Sequence, residues 1–425
     1  MIRRNVHFLS ALVVLACVGW TPRGHANWSP DTVLSDASAS FLGEEGDAGI
    51  SVSADGDLDG DGFDDILISA PPYSQVVAGG GKLYVVFGHA SGWAMDTPLS
   101  QADSSFLSLT PDGNLGSHAT IVGDVNGDGF DDFLASEPGC HERAGCAYLV
   151  LGKAAGWVLD VTIDNADAWF VGENPYDTVA TVGDVGDVDG DGFDDFLVGA
   201  EYSSEAGSGA GQVYLFSGGQ QGWAPETSLA AADASFLPEH AEDYLSALRG
   251  RGDVDGDGFN DLLLGADGAD AGENNTGESY LLLGNAGGWS MDSSLATADA
   301  SFVGQGSPAD HSDQSGFSGC LGDVTGDGLA DVVVSAFGHE NPDGSSGRVY
   351  VVPGMARGWQ MDQPLGSAAV VLEGEEPEDH FGSHLACLED VNGDGIGDLL
   401  VGAFMNSENG EEAGQTYLYL GGDDL

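Results

Sequence analysis

The sequence predicts an all-β protein, a β-propeller of four-stranded blades, on three observations. One nine-residue acidic pattern recurs six times, each copy runs straight into short strand-like segments, and helical periodicity is absent. The pattern, acid-x-acid/amide-Gly-Asp-Gly-x-x-Asp in its commonest form, begins at Asp57, Asp124, Asp187, Asp253, Asp323 and Asp390. The intervals are 67, 63, 66, 70 and 67 residues.

Within each repeat the elements follow in a fixed order. The acidic loop leads into an apolar segment such as Ile66-Leu67-Ile68 or Val332-Val333-Val334. A loop rich in Gly, Ser and Glu comes next, and then a second segment such as 82–87 or 415–420. A Gly-Trp marker precedes the third, for example Ala300-Ser301-Phe302-Val303, and the stretch before the next loop, such as 383–387, supplies the fourth. A lone four-stranded sheet cannot bury both faces, whereas stacking on neighbours in a ring does so. A parallel β-helix is the competitor, but its turns are shorter than this period. The third-segment unit follows Trp28, Trp93, Trp157, Trp223, Trp289 and Trp359, and its first copy precedes any acidic loop. Six blades are therefore expected, with seven as the alternative. The N-terminal segment, 28–44, should close the ring as the outer strand beside 415–420.

Charge sets further bounds. The 425 residues hold 70 acidic and 10 basic side chains; a chain starting at Asn27 would carry 7 basic and a formal −63. Nucleic acid and anionic membranes are excluded as partners. Residues 1–26 read as a secretory signal: Arg3 and Arg4, an apolar stretch, then Gly24-His25-Ala26 as the cleavage site, leaving a propeller domain over 27–425. A lipoprotein signal acylated at Cys17 is the rival reading. Export to a periplasmic, surface or extracellular compartment follows from either, and no later segment is long and apolar enough to span a membrane. Cys140 and Cys146 bracket a short loop suited to a disulfide. Cys320 and Cys387 sit at equivalent places in adjacent repeats, as a bridge or as buried thiols.

Oxygen ligands at alternate positions of a turning loop suit Ca²⁺, which takes six to eight oxygens. The first loop offers Asp57, Asp59, Asp61, the carbonyl of Phe63, and Asp65. The others offer Asp124, Asn126, Asp128, Phe130 and Asp132; Asp187, Asp189, Asp191, Phe193 and Asp195; and Asp253, Asp255, Asp257, Phe259 and Asp261. The last two offer Asp323, Thr325, Asp327, Leu329 and Asp331, and Asp390, Asn392, Asp394, Ile396 and Asp398. Up to six Ca²⁺ ions are expected, one per blade, with Mg²⁺ the poorer fit. The fifth loop, with Thr325, has one strong ligand fewer. EF-hand loops close at position 12 between helices, whereas these close at position 9 before a strand.

The loops, the strand after them and the period resemble the FG-GAP repeat of integrin α-subunits. Phe381-Gly382 ahead of the Asp390 loop is the best copy of the name motif, and Ser69-Ala70-Pro71, Gly199-Ala200, Gly265-Ala266, Ser335-Ala336 and Gly402-Ala403 are degenerate Gly-Ala-Pro elements. The resemblance implies a calcium-binding propeller acting in recognition or adhesion toward an extracellular protein or glycan. Integrin propellers have seven blades, mostly without the metal loop, so their ligands do not transfer to a chain with a loop in every repeat.

Smaller signals remain. Asp47, Asn114, Asp177, Asp243, Asp313 and His380 lie ten residues before their loops, as turn caps or as a ring at a channel mouth. His118 and His384 share a position six residues before theirs. Arg251-Gly252-Asp253 spells an integrin-binding tripeptide, but Asp253 is the first ligand of the fourth loop. No nucleophile–base pair, phosphate loop or zinc motif appears, so an enzyme is not expected. A hydrolase or lyase at the ring axis and a structural calcium-binding envelope protein stay as the other function classes.

Overall fold

The computed structural model describes residues 39–44, 48–270, 276–305, 313–341, 344–376, 378–388, 390–407 and 414–422. Six antiparallel sheets follow one another around an axis, and the first strands of successive blades lie side by side there. Blade 1 runs Val52–Ser53, Ile66–Ala70, Lys82–Val86, Ser104–Leu107 from axis to rim. Blade 3 runs Val179–Gly186, Asp195–Ala200, Gln212–Phe216, Ala234–Leu237, and blade 5 runs Gly319–Gly322, Asp331–Ala336, Arg348–Val352, Val370–Glu373. Blades 2 and 4 repeat the arrangement, and blade 6 shows Phe381–Leu388, Asp398–Ala403 and Gln415–Tyr419.

The second and third strands are apolar on both faces because both faces are covered. Leu197, Val213 and Leu215 of blade 3 share one core with Leu245, Leu262 and Leu264 of blade 4, and the same sharing joins blades 1 with 2, 2 with 3, 4 with 5, and 5 with 6. Stability of the ring therefore sits between sheets rather than within them. A buried tyrosine recurs in the middle of the third strands (Tyr84, Tyr148, Tyr214, Tyr280, Tyr350), and the hydroxyls of the first four each meet a glutamate: Glu44, Glu137, Glu173 and Glu278.

A feature absent from the expected blade is a fifth, short strand. The segment after each Gly-Trp marker pairs in parallel with the fourth strand of the preceding blade: Val161–Thr162 on blade 1, Glu226–Ser228 on blade 2, Ser293–Ser294 on blade 3 and Gln363–Pro364 on blade 4. On blades 1, 3 and 4 an aspartate in the left-handed region starts it, and its amide bonds a serine of the fourth strand, as in Asp160 to Ser105 (2.8 Å) and Asp292 to Ser235 (2.8 Å).

The N-terminal segment obeys the same rule. Phe41–Leu42 pairs in parallel with Thr97–Pro98, and the Asp96 amide bonds Ser40 Oγ at 2.7 Å. Glu44 reaches Lys82 Nζ (2.6 Å) and the Tyr84 hydroxyl (3.0 Å) of blade 1, as Glu173 after the blade 2 fourth strand reaches Tyr214 of blade 3. The segment thus stands where a fourth strand of blade 6 belongs. Its described hydrogen-bond partner is Thr97–Pro98; residues 28–38, which the expected pairing with 415–420 also involves, lie outside the described residues, as do the signal sequence and Cys17. Both cysteine pairs are disulfides. Cys140–Cys146 closes the local loop, and Cys320–Cys387 joins the inner strands of blades 5 and 6.

Candidate metal centre

Each acidic loop links the first strand of a blade to its second, so all six lie at one end of the ring. Backbone amides shape them. In the first, Asp57 Oδ1 accepts from Gly60 (2.7 Å) and Asp61 (3.1 Å), and Oδ2 accepts from Gly62 (2.8 Å). Asp59 accepts from the Asp61 amide and Asp61 from the Phe63 amide, each at 3.0 Å. The turn needs Gly60 and Gly62, whose φ values are 78° and 90°. The closing Asp65 is wholly buried and accepts from Leu58 (2.8 Å) and from Gly88 at the end of the third strand (2.8 Å). The first aspartate of each remaining loop accepts the amides of both loop glycines in the same way.

These bonds turn carboxylates toward one point. One oxygen from each of Asp57, Asp59 and Asp61 falls within 4.8 Å of the others, and the same holds for Asp187, Asp189 and Asp195 and for Asp253, Asp255 and Asp261. Oxygens sharing one Ca²⁺ at 2.3–2.6 Å lie no more than about 5 Å apart. The donor set, all hard oxygen with no sulfur or imidazole, fits such a cation. Burial pushes the closing carboxyls up: Asp65, Asp195 and Asp261 to about 7 and Asp132 to about 8, with Asp331 and Asp398 raised by the same cause. A buried carboxylate of this kind is stabilised by an adjacent positive charge. The fifth loop differs as its sequence requires. Thr325 Oγ1 bonds Asp331 Oδ1 (3.2 Å), and the Thr325 amide takes Oδ2 (2.8 Å).

Neighbouring loops touch. A methyl group at Gly60 would fall 2.5 Å from the Phe130 ring, and the same approach recurs at Gly127 with Phe193, Gly190 with Phe259, Gly256 with Leu329 and Gly326 with Ile396. The residue expected to give only its carbonyl thus covers the preceding loop with its side chain. The amide after it also bonds the carbonyl of the first ligand there, as in Asn260 to Asp187 (3.1 Å) and Ala330 to Asp253 (3.1 Å).

The axis beside these loops is crossed by Arg249 of blade 4. Its guanidinium donates to Val52 O (3.2 Å), Ser51 Oγ (3.1 Å) and Ala119 O (3.0 Å) of blades 1 and 2. His118 is lowered to about 3 by burial, then by the charges of Arg249 and His384, and His384 is lowered by burial and by Arg249. Both imidazoles are neutral at pH 7. Arg251 faces Asp184 (3.6 Å) and Asp194 (3.5 Å), while Asp253 is engaged in its loop, so the tripeptide at 251–253 is not displayed as a motif. Nothing in the sequence marked Arg249; its partners stand 130 to 198 positions away.

Three of the turn residues resolve as caps. Asp177 accepts the Asn174 amide (2.7 Å), Asp243 that of His240 (2.9 Å) and Asp313 that of Gln305 (2.8 Å). Asn114 takes a left-handed φ of 56°. In blade 6 the cap is Asp379, which bonds Glu376 N and Asn406 Nδ2, and not His380, which stacks on Phe404 and lies tilted against Phe337. A register shift after Phe381 accompanies the one-residue offset. Asp47 lies outside the described residues. Among the described residues no helix is long and apolar enough to cross a membrane.

The FG-GAP repeat matches this chain at residues 48–86, 179–216, 250–282, 315–352 and 381–419. The second blade is outside those matches, yet it carries the same loop and strand order. Curated relatives are integrin α subunits. Integrin alpha-PS5 of Drosophila melanogaster is 32% identical over 164 residues, 36% of this chain and 15% of that protein. Integrin alpha-IIb of Mus musculus is 32% identical over 161 residues, again 36% and 15%, and integrin alpha-PS2 of Drosophila melanogaster is 26% identical over 245 residues, 55% and 16%. The match spans only about a sixth of each relative's length. None of these three names is that of an enzyme.

Proposed function

We propose that this FG-GAP-repeat propeller, similar to part of the integrin α subunits, is an exported, calcium-loaded recognition or adhesion module. The observation that carries the reading is the loop geometry: six repeats with one hydrogen-bonding scheme, three of them with a full carboxylate triad within 4.8 Å. The ligands are the thirty side chains and carbonyls named from the sequence, one set per blade. In this reading calcium fixes the turn from first to second strand, and the opposite end of the ring is left for a partner. That end carries the turns between second and third strands and the segments leading into the first strands. Tyr176, Tyr202, Tyr244 and Phe317 are exposed there, an aromatic surface suited to an extracellular protein or glycan. Residues 1–26 act as the export signal and 27–425 as one propeller; two disulfides agree with an oxidising compartment.

An axial enzyme is the less favoured reading, because Arg249 is tied by three hydrogen bonds across the position where a deep pocket would open. Calcium titration of the secreted protein should give about six sites, and arrays of extracellular proteins and glycans probed with and without calcium should show a calcium-dependent ligand. Binding of six ions with no ligand on either array favours the structural envelope role; no calcium binding removes the proposal.

A further inference from the structure

In blades 1 to 4, two consecutive amides at the end of the third strand are held by two different aspartates. The second amide belongs to a glycine and goes to the closing loop aspartate: Gly88 to Asp65 (2.8 Å), Gly152 to Asp132 (2.8 Å), Gly218 to Asp195 (2.8 Å) and Gly284 to Asp261 (2.7 Å). The first amide goes to an aspartate just ahead of the fourth strand: Phe87 to Asp103 (2.9 Å), Leu151 to Asp167 (2.9 Å), Ser217 to Asp233 (3.0 Å) and Leu283 to Asp299 (2.9 Å). Blade 5 is an internal control. The first position there is Pro353, which has no N–H, and the outer position is Ala369, which has no acceptor; donor and acceptor are missing together, although Gly354 still bonds Asp331 at 3.0 Å.

From this repeated clip we propose that Asp103, Asp167, Asp233 and Asp299 are positioning residues of the cation loops in blades 1 to 4. Their hydrogen bonds go to those amides and not to a proposed ligand oxygen, although the charges of Asp103 and Asp299 are felt at Asp59 and Asp255. Each fixes the dipeptide whose second amide aims the closing aspartate, so the loop is held in its binding shape before the ion arrives. Partners of this outer kind set metal affinity by restricting the ligands. The action is through the hydrogen bond and not through charge, which makes blade 5 a looser site for a reason separate from Thr325. The inference rests on the loops binding calcium.

The test uses the full secreted chain and calcium alone, titrated well below the melting temperature. Asp233→Ala should weaken one site by about tenfold and leave the others unchanged. Asp233→Asn keeps an oxygen acceptor and should recover most of that loss. Ala369→Asp, facing Pro353, should change nothing. An unaltered site in Asp233→Ala overturns the proposal. So does an Asn variant as weak as Ala together with tighter binding in Ala369→Asp, which would mean the charge acts directly. A wild-type chain that binds no calcium overturns the calcium reading as well, so the two failures are distinguishable.

Discussion

Blades 3 and 5 have the same strand order and the same buried tyrosine, yet their loops are not equivalent. Blade 3 brings Asp187, Asp189 and Asp195 together, holds Ser217 with Asp233, and covers Gly190 with Phe259. Blade 5 replaces Asp189 by Thr325, Ser217 by Pro353 and Asp233 by Ala369, and satisfies its closing aspartate internally through the Thr325 hydroxyl and amide. The three changes lie far apart in sequence but meet at one loop. A repeat can therefore keep its blade while relaxing its ion site, because the blade is held by cores shared with its neighbours and the site by local hydrogen bonds.

The largest effect expected is on pH dependence without calcium. The closing aspartates Asp65, Asp195 and Asp261 stand at about 7 and Asp132 at about 8, above their unfolded values, so the folded chain holds protons the unfolded chain has released. That contribution is complete below about pH 4 and is lost as pH rises through about 7 to 8. In excess chelator the melting temperature should fall between pH 5 and pH 8; in calcium it should hold or rise, since protons compete with the ion. A chelated protein that gains stability over the same interval would break the account of the closing aspartates.

Next in size is Asp191→Ala set against Thr325→Ala. At calcium a hundredfold above Kd, loss of the third site should cost about 2.7 kcal/mol. The blade 5 change should cost less, and neither should matter much in chelator. Equal losses would remove the distinction between the blades. Gly190→Ala should cost about 1–3 kcal/mol with or without calcium, because φ is 77° there and the new methyl would sit 2.5 Å from the Phe259 ring. Denaturant unfolding measures it, and a neutral result would show that adjacent loops do not press on one another. Smallest is Thr325→Asp, which should tighten the fifth site by several-fold in a calcium titration yet leave it weaker than the third, since Pro353 and Ala369 remain.

Much of this was readable from residues because a period of fixed loops exposes itself. The hydrogen-bonded acidic loops, the strand order and the six blades follow from local pattern. The parts that escaped depend on pairings between repeats. The fifth short strand pairs with a segment some 55 residues earlier, as Val161 does with Phe106, and the clip joins Ser217 to Asp233 across a turn with no chemical motif. Two signals were present: an aspartate three residues before the phenylalanine of the fourth strand in several repeats (Asp103, Asp233, Asp299), and its loss in the one repeat with Pro353. Arg249 left no such trace, because a single arginine just beyond an inner strand looks like any other until the ring closes around it. His380 misled by one residue, since counting back from the loop ignores the register shift that hands the cap to Asp379.

The central claim is that calcium holds these loops, and through them the ring. The most direct measurement is thermal melting of the secreted chain in chelator, in calcium and in magnesium at one ionic strength. The account predicts a large rise in melting temperature with calcium over chelator and little of that rise with magnesium, which favours octahedral geometry and retained waters. The same melting temperature in all three would contradict it.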